Sequence, residues 1–299
     1  MGTVNATSSA LAGVSSPEQG GAGFVLALLP LFAIGVVGAG LGADPSTRHS
    51  AADFLNAVAP GLRQVLPLLS VCVVTTVAVS HTAARLLDRP RIPAAATAAC
   101  LFVLTVPSTA PLLPAAVSML FGWCVGREVF GSIERSFVHP AVLAHVFLAL
   151  SWPHALTGSP LAAAGPASLV ACLVGSIWVL GAGRAAWRVA AAVPVGAAIA
   201  LAALSTATQG DATGISFLGH FLIGNLSLGA LFLAGQPMSS PATTSAQWFH
   251  GALIGALVIL FRLTGPSGTD GTMNAILLGS VFAPLADEVV RYGLRRARG

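Results

Sequence analysis

The sequence predicts an all-α integral membrane protein of about ten transmembrane helices in two related five-helix halves, some of them short or broken. Three observations lead to this fold class. Hydrophobic residues make up 55% of the chain and charged residues only 8%, whereas a soluble domain carries about 25% charged residues. Apolar segments close to the length of a membrane span recur along the chain. The arginines fall between these segments in a biased pattern.

Ten apolar segments are candidates for membrane spans, since a spanning helix needs about 20 mainly apolar residues. The third, fourth and fifth segments have only 13–15 residues, so we expect half-helices or re-entrant pieces there. The segments are Ala22–Leu41, Pro60–Val79, Ile92–Val106, Leu112–Val125, Pro140–Trp152, Ala167–Ala182, Ala186–Leu204, Ile215–Ala234, Trp248–Leu263 and Thr272–Val290.

The membrane domain is predicted to span residues 22–290, with its halves at about 22–152 and 167–290. In each half a long apolar pair precedes a glycine-rich region and a polar connection, which contains His139-Pro140 in the first half and Gln236-Pro237 in the second. The residues of the halves are only weakly similar, so an internal duplication is a hypothesis. Residues 1–21 contain no lysine or arginine and are predicted to be a disordered tail.

The basic residues predict the orientation in the membrane. All 14 are arginines, and with ten spans and a basic cytoplasmic tail at 291–299, all but Arg48, Arg63 and Arg262 fall on the cytoplasmic side. The positive-inside rule therefore predicts a multi-pass cell-membrane protein with both termini in the cytoplasm. Arg262 lies near the end of its segment and is expected to extend to the outer interface. No arginine cluster alternates with aromatic residues, which argues against a nucleic-acid partner.

The sequence contains no recognisable catalytic or metal-binding motif. A Walker loop, a Gly-x-Ser-x-Gly elbow, a His-Glu-x-x-His pair and paired carboxylates within a span are all absent. The four cysteines lie separately in apolar segments and are interpreted as small apolar fillers. Hydrogen bonding to a neighbouring helix is the expected role of the polar residues in or near the spans. These residues are His145, His220, Asn225, Gln236 and Asn274.

The stretch from Leu113 to Leu150 is the first candidate for a functional site. Two charge pairs, Arg127-Glu128 and Glu134-Arg135, and the break at His139-Pro140 interrupt apolar sequence there. Charge and irregular backbone at membrane depth are costly unless they are buried in protein or face a cavity. The alternative is a cytoplasmic loop whose charges lie at the lipid headgroups.

Five motifs occur in order between about residues 95 and 290. They are Gly-Arg-Glu-Val-Phe-Gly at 126–131, Arg-Ser-Phe-Val-His-Pro-Ala at 135–141, Ala-Trp-Arg at 186–188, Ala-Gly-Gln-Pro-Met-Ser at 234–239, and Gly-Ala-Leu-Ile-Gly at 251–255, which runs on to Phe-Ala-Pro-Leu-Ala-Asp at 282–287. Together they resemble a family of respiratory membrane proteins, RnfD of the Rnf complex and NqrB of the Na+-translocating NADH:quinone oxidoreductase (Nqr). The resemblance implies a ten-helix bundle and flavin-linked electron transfer coupled to ion movement. It also implies partner membrane or redox subunits, so that the chain would not be an enzyme alone.

The resemblance further implies a flavin cofactor. We expect a divergent member that keeps at most a non-covalent flavin, riboflavin or FMN, at the Arg127–His139 connection and the polar residues of segment eight. Arg127 would neutralise a negative group, and His139 would donate a hydrogen bond to an isoalloxazine edge. Alternatives from other classes are a flavin-free transporter or channel-like protein on the same scaffold and a purely structural membrane partner. The candidate cofactor-binding residues are Arg127, Glu128, Phe130, His139, Asn225 and Gln236.

Covalent FMN is predicted to be absent. The family attaches FMN to a threonine in a Ser-Gly-Ala-Thr-like sequence within a long insert, whereas the corresponding loop of this chain is short and has Thr157 as its one threonine. The chain also departs from the family pattern at His139, which replaces asparagine, and at Gln236, which replaces aspartate. We expect the denatured protein to show no flavin fluorescence on a gel. A fluorescent band that persists after denaturation would contradict this prediction.

Overall fold

The computed structural model describes residues 17–41, 51–86, 94–129, 138–163, 165–183, 185–208, 214–237, 239–264 and 270–296, and all regular structure in these ranges is helical. A wide π-helical turn at Cys124–Glu128 continues α4, a short 3₁₀ turn at Pro153–Leu156 follows α5, and a second π-helical turn at Gly229–Leu233 continues α9. The helices are α1 (Pro17–Leu41), α2 (Ala51–Leu86), α3 (Ala95–Thr105), α4 (Leu112–Trp123), α5 (Pro140–Ser151), α6 (Pro166–Gly181), α7 (Trp187–Thr208), α8 (Phe217–Leu222), α9 (Leu226–Leu228), α10 (Thr244–Thr264) and α11 (Thr272–Arg296).

Five of the described helices are long and apolar enough to cross a bilayer, namely α1, α2, α7, α10 and α11. Large hydrophobic side chains also cover the outside of the bundle: Leu26, Ile177 and Ile199 are 60–72% exposed. A bundle that is apolar both inside and outside matches a lipid environment. The chain is therefore a multi-pass membrane protein, as the composition predicts.

Three further apolar helices are too short to span the bilayer alone. Helices α3, α5 and α6 have 11, 12 and 16 residues. At 1.5 Å per residue they are about 17–24 Å long, shorter than the hydrocarbon core of about 30 Å. The expectation of short third and fifth segments is thus confirmed. The fourth segment is longer than predicted, because the wide turn extends α4 to Glu128.

Several helices extend beyond the boundaries of the predicted apolar segments. Helix α1 begins at Pro17 rather than Ala22, and α2 covers Ala51–Leu86 rather than Pro60–Val79. Helix α11 continues to Arg296, so most of the predicted basic tail is helical. These additions are more polar than the spans, and the apolar pattern marks only the part of a helix within lipid. The disordered tail was predicted at residues 1–21, but residues 17–21 are the helical start of α1. Residues 1–16 and the charge pair Glu134-Arg135 lie outside the described residues.

The packing of the helices brings together elements that are far apart in the sequence. Helix α1 contacts α2 and α6, α7 pairs with α10, and α10 also packs on α11. Helix α5 contacts α3, α4 and α11. The edge of the Phe24 ring on α1 meets the Phe232 ring at a centroid distance of 6.0 Å, which holds the second wide turn against the core.

Glycines bring α7 and α10 into backbone contact. A Cβ atom on Gly255 would collide with the carbonyl group of Val193, and one on Gly251 would come within 2.5 Å of the carbonyl oxygen of Val189. Small residues four apart permit this close approach between membrane helices. Gly251 and Gly255 are therefore packing residues of the contact between α7 and α10.

The eighth predicted segment is a broken helix. Helix α8 ends at Leu222, and Gly224 adopts the left-handed conformation with φ of 70° before α9 begins. A side chain at Gly224 would strike the carboxylate of Asp270, so only glycine suits both the backbone and the space. The break exposes backbone groups inside an apolar bundle, and these groups need polar partners.

Candidate functional site

Three of the predicted residues meet where the wide turn of α4 reaches the start of α5. Arg127 is 3% exposed, and its guanidinium carbon lies 5.7 Å from the centroid of the Trp123 ring. Glu128 accepts a hydrogen bond of 2.9 Å from the indole nitrogen of Trp123. Arg127 and Glu128 therefore hold the face and the edge of one fully buried tryptophan. With His139, these residues are called the Arg127 corner below.

His139 begins α5 and is 4% exposed. Its Nδ1 accepts a hydrogen bond of 3.2 Å from the backbone amide of Ala141, as an N-cap residue does. Because Nδ1 acts as acceptor, the neutral ring carries its proton on Nε2. The Nε2–H group is therefore the remaining donor of His139, and the flavin contact predicted for it stays a prediction.

Two glycines allow the backbones of α4 and α5 to approach at this corner. A Cβ atom on Gly122 would lie 2.5 Å from the Pro140 carbonyl oxygen and 2.6 Å from the Ala144 Cβ. A Cβ atom on Gly126 would lie 3.2 Å from the Pro140 Cα. The glycines thus set how deeply Arg127 is buried. Phe130 falls outside the described residues, so its place in the site stays a prediction.

Asn225 lies in the break between α8 and α9 and is 1% exposed. Its backbone amide donates to Asp270 Oδ2 at 2.6 Å, and its side-chain Nδ2 donates to the carbonyl of Thr105 at 3.0 Å. Its Oδ1 atom has no hydrogen-bond partner among the described residues. A buried acceptor left unpaired costs about 1–3 kcal/mol. This oxygen is therefore a buried acceptor of the break that the described residues leave unpaired.

His145 joins Asn225 through Thr105. The Thr105 hydroxyl donates to the Phe102 carbonyl at 2.6 Å, so its oxygen accepts from His145 Nδ1 at 3.0 Å. His145 follows His139 by six residues on α5, a rise of about 9 Å. The interpretation of His145 and Asn225 as residues that hydrogen-bond neighbouring helices is confirmed.

Gln236 is placed apart from these groups. Its Nε2 donates to the Phe232 carbonyl at 2.7 Å, within its own turn of helix. The preceding carbonyl, that of Gly235, accepts from the amide of Ala186 at 2.7 Å near the start of α7. Gln236 therefore closes the end of the second wide turn, and among the described residues no hydrogen bond connects it to the Arg127 corner. Asn274, the remaining polar candidate, is exposed on α11.

Arg262 does not extend to the interface as predicted, because the helix break takes up its donors. Its side chain is only 8% exposed. Nη1 donates to the His220 carbonyl at 2.7 Å, and Nη2 donates to the Ile223 carbonyl at 2.8 Å. Both carbonyls are left without helical partners where α8 ends. One guanidinium thus satisfies the backbone groups that the break exposes.

Asp270 completes this arrangement. Its Oδ1 lies 2.6 Å from Arg262 Nη2 and accepts the hydroxyl of Thr272 at 2.9 Å. The Arg262 Nη1 atom is also 3.2 Å from His220 Nδ1. A continuous series of contacts therefore runs through the bundle, here called the polar chain. It consists of His145, Thr105, Asn225, Asp270, Arg262 and His220.

The polar chain and the Arg127 corner can hold charge and hydrogen-bonding ligands within an apolar bundle. In the part of the chain that the structure describes, no group of three or more His, Cys, Asp or Glu residues is arranged to hold a metal ion. The four cysteines are free thiols, and Cys72, Cys100 and Cys172 are buried among apolar residues. The interpretation as apolar fillers is confirmed for these three, while Cys124 is half-buried in the wide turn.

Comparison with known families identifies the chain. The model of the NQR2, RnfD, RnfE family matches residues 18–164 and 158–293. The chain belongs to this family. The resemblance carried by the five motifs is thereby confirmed, together with its implication of a membrane component of the RnfD and NqrB type.

Curated relatives of this NQR2/RnfD/RnfE family member agree. It is 30% identical over 245 residues to the B subunit of the Na(+)-translocating NADH-quinone reductase of Haemophilus influenzae strain PittEE, covering 66% of this chain and 60% of the relative. It is 31% identical over 240 residues to the protein of the same name from Azotobacter vinelandii, covering 66% and 59%. For Neisseria meningitidis strain Z2491 the identity is 30% over 237 residues, covering 64% and 58%. The chain thus spans about three fifths of the length of these relatives.

Thr105 and Asp270 of this family member were not among the candidate residues taken from the sequence. Arg262 was predicted to extend to the outer interface, whereas it binds the helix break. A signal existed for two of them: Arg262 ends one apolar segment and Asp270 begins the next, so antiparallel neighbours bring the two charges to the same level. No signal identified Thr105, because its carbonyl and its hydroxyl act through partners 120 and 40 residues away.

Proposed function

We propose that this protein is a divergent RnfD/NqrB-like component of an ion-translocating electron-transport complex, with a non-covalent flavin at the Arg127 corner. Its partners are the lipid bilayer and other membrane or redox subunits, since electrons must reach it from proteins with their own cofactors. The observation that carries the proposal is the buried Arg127 beside the retained Nε2–H donor of His139, within a chain of this family.

The residues of the corner fit the edge of a flavin. The Arg127 guanidinium complements the phosphate of FMN or a ring carbonyl, and the His139 donor complements a second carbonyl. Trp123 is fully buried beneath Arg127, so its indole ring is covered and does not offer a face on which a flavin ring could stack. A ligand held at its edge needs a second surface, which agrees with a partner protein. The flavin would supply electron transfer, while the protein would bind and orient it.

Asn225 and Gln236 are not assigned as flavin contacts in this proposal. The unpaired Oδ1 of Asn225 can accept a hydrogen bond, but it lies at the break rather than at the corner. Gln236 is tied to its own helical turn. We therefore assign flavin contact to Arg127, Glu128 and His139, with Phe130 as a further candidate. Asn225 is assigned to support of the helix break, and Gln236 to closure of the second wide turn.

The bundle is proposed to contain ten spans in two related halves. Each half has a five-residue π-helical turn before an X-Pro pair, at Cys124–Glu128 and at Gly229–Leu233. Helices α1 and α6, the first of each half, pack together, as do α5 and α11, the last of each half. Such pairing is expected of two units related by a pseudo-two-fold axis. The arginine bias supports cytoplasmic termini.

A second candidate function is supported by the polar chain. Transporters build substrate sites from discontinuous helices that meet near the middle of the bilayer. The break at Gly224 and Asn225, with an unpaired acceptor beside Asp270, has this form. A flavin-free transporter or channel-like protein is the alternative that this observation favours.

The absorption spectrum of the detergent-purified protein tests the proposal. We expect a flavin band near about 450 nm in the wild-type protein. Arg127→Gln should reduce the flavin-to-protein ratio about tenfold or more, because charge-assisted contacts contribute about 1.5–3 kcal/mol each. Arg188 is the matched control, since it also lies over a tryptophan, 5.0 Å from the centroid of the Trp187 ring.

The proposal requires Arg188→Gln to keep its flavin. A colourless wild-type protein that moves ions or solutes into liposomes would instead support the transporter. Equal loss of flavin from both variants would also oppose the assignment, since it would separate flavin binding from the Arg127 corner.

A further inference from the structure

Helices α10 and α11 form an apolar groove on the surface of the bundle. It has a volume of about 550 Å³ and is lined by apolar side chains, among them Phe249 and Leu253 of α10 and Phe282, Ala286 and Val289 of α11. The groove is open along one side and faces outward. It is separate from the Arg127 corner and from the polar chain, and it has no part in the function proposed above.

The face of α11 that lines the groove continues towards the end of the helix. Its lining residues recur every three or four positions from Phe282 to Val290. The same spacing places Gly293 and then Arg296 on this face. A Cβ atom on Gly293 would have no heavy atom within 4 Å, so the groove stays open towards Arg296.

Arg296 is the cation aligned with the groove. By helical geometry Arg291 and Arg295 lie on other faces of α11. Arg295 is 4.0 Å from Glu288, and Arg291 lies near Asp287, whose carboxylate also caps the start of α10 through the amides of Ala242 and Thr243. Arg296 is exposed and has no carboxylate within ion-pair distance in the ranges that the structure describes.

We propose that the groove binds an acyl chain of an anionic phospholipid and that Arg296 binds its headgroup. From Phe282 to Arg296 the helix rises about 21 Å, which equals one leaflet of a bilayer about 40–45 Å thick including headgroups. The apolar lining suits a hydrocarbon chain, and the unpaired cation at the end of the same face suits a phosphate with net negative charge. A zwitterionic lipid has the same chains but no net charge for Arg296 to neutralise.

Native mass spectrometry of the detergent-purified, delipidated protein tests this site with phosphatidylglycerol and phosphatidylcholine of identical acyl chains. Phosphatidylglycerol should bind more tightly, and Arg296→Gln should weaken its binding about fivefold, since one arginine near the headgroup contributes about 1 kcal/mol. Arg295→Gln removes the same charge from another face of the same helix and should change binding less than about twofold. Arg296→Lys should restore most of the affinity.

A second variant tests the groove itself. Ala286→Trp fills the groove and should weaken the binding of both lipids, with size-exclusion chromatography confirming a folded monodisperse protein. Equal losses in Arg295→Gln and Arg296→Gln would show diffuse attraction and overturn the site. Equal binding of the two lipids by the wild-type protein would also overturn it. Dimers that disappear in Ala286→Trp would assign the groove to a second copy of the chain instead.

Discussion

Replacing Arg262 by glutamine is expected to lower the free energy of unfolding by about 3–5 kcal/mol, because it leaves the Asp270 carboxylate without its buried ion-pair partner. The substitution also removes the donors that satisfy the His220 and Ile223 carbonyls at the end of α8. In an apolar bundle these carbonyls have no water to replace the guanidinium. The loss of stability is measured by thermal unfolding of the detergent-purified protein.

Arg63→Gln is the matched control for this prediction, since Arg63 is exposed on α2. It should change the free energy of unfolding by less than about 0.5 kcal/mol. The double variant Arg262→Gln/Asp270→Asn should be less destabilised than the sum of the two single variants, because the residues form one ion pair. If Arg262→Gln melted at the same temperature as Arg63→Gln, the contacts of Arg262 with the broken helix would not contribute to stability.

Gly255→Leu is expected to separate α7 from α10 and to reduce stability by about 3 kcal/mol, at the upper end of the usual cost of overpacking. The cost is high because the new Cβ would meet the backbone carbonyl of Val193, which cannot move without moving its helix. The measurement is the fraction of protein that elutes as a monodisperse peak after detergent extraction and mild heating. This fraction should fall sharply relative to the wild-type protein.

Gly181→Leu provides the control. A Cβ atom at Gly181, at the end of α6, has no heavy atom within 4 Å, so the same side chain enters open space. Its monodisperse fraction should match that of the wild-type protein. If both leucine variants behaved alike, the contact between α7 and α10 would not depend on the absence of a side chain at Gly255.

The two stability predictions test helix packing separately from the support of a proposed functional site. Gly255 contributes only to helix packing, whereas Arg262 supports the break that presents Asn225 and Asp270. The variant Thr105→Val removes the hydroxyl that binds His145 in the polar chain, and it should leave flavin binding intact if the Arg127 corner holds the cofactor. The carbonyl of Thr105 that binds Asn225 is retained in this variant.

The residues of the Arg127 corner were candidates from the sequence alone, but the contacts among them were not predictable. Charges next to a His-Pro break between apolar segments mark a functional or interfacial stretch wherever they occur. That His139 caps α5 follows from its position before Pro140. That Arg127 covers Trp123, four residues earlier, depends on the wide turn and on the approach of α5 at Gly126. Neither the wide turn nor the close approach of α5 can be predicted from the composition.

By itself the sequence determined the membrane class, the helical content and the family, because lipid restricts a chain to long apolar helices that satisfy their own backbone groups. The tertiary structure alone decided which polar residues meet. Thr105, His145 and Asn225 come from separate elements, and each is bound by a partner whose position no local pattern specifies. The physical reason is the broken helix: the backbone groups it exposes must be satisfied within the bundle, and the donors that reach them lie on helices distant in sequence.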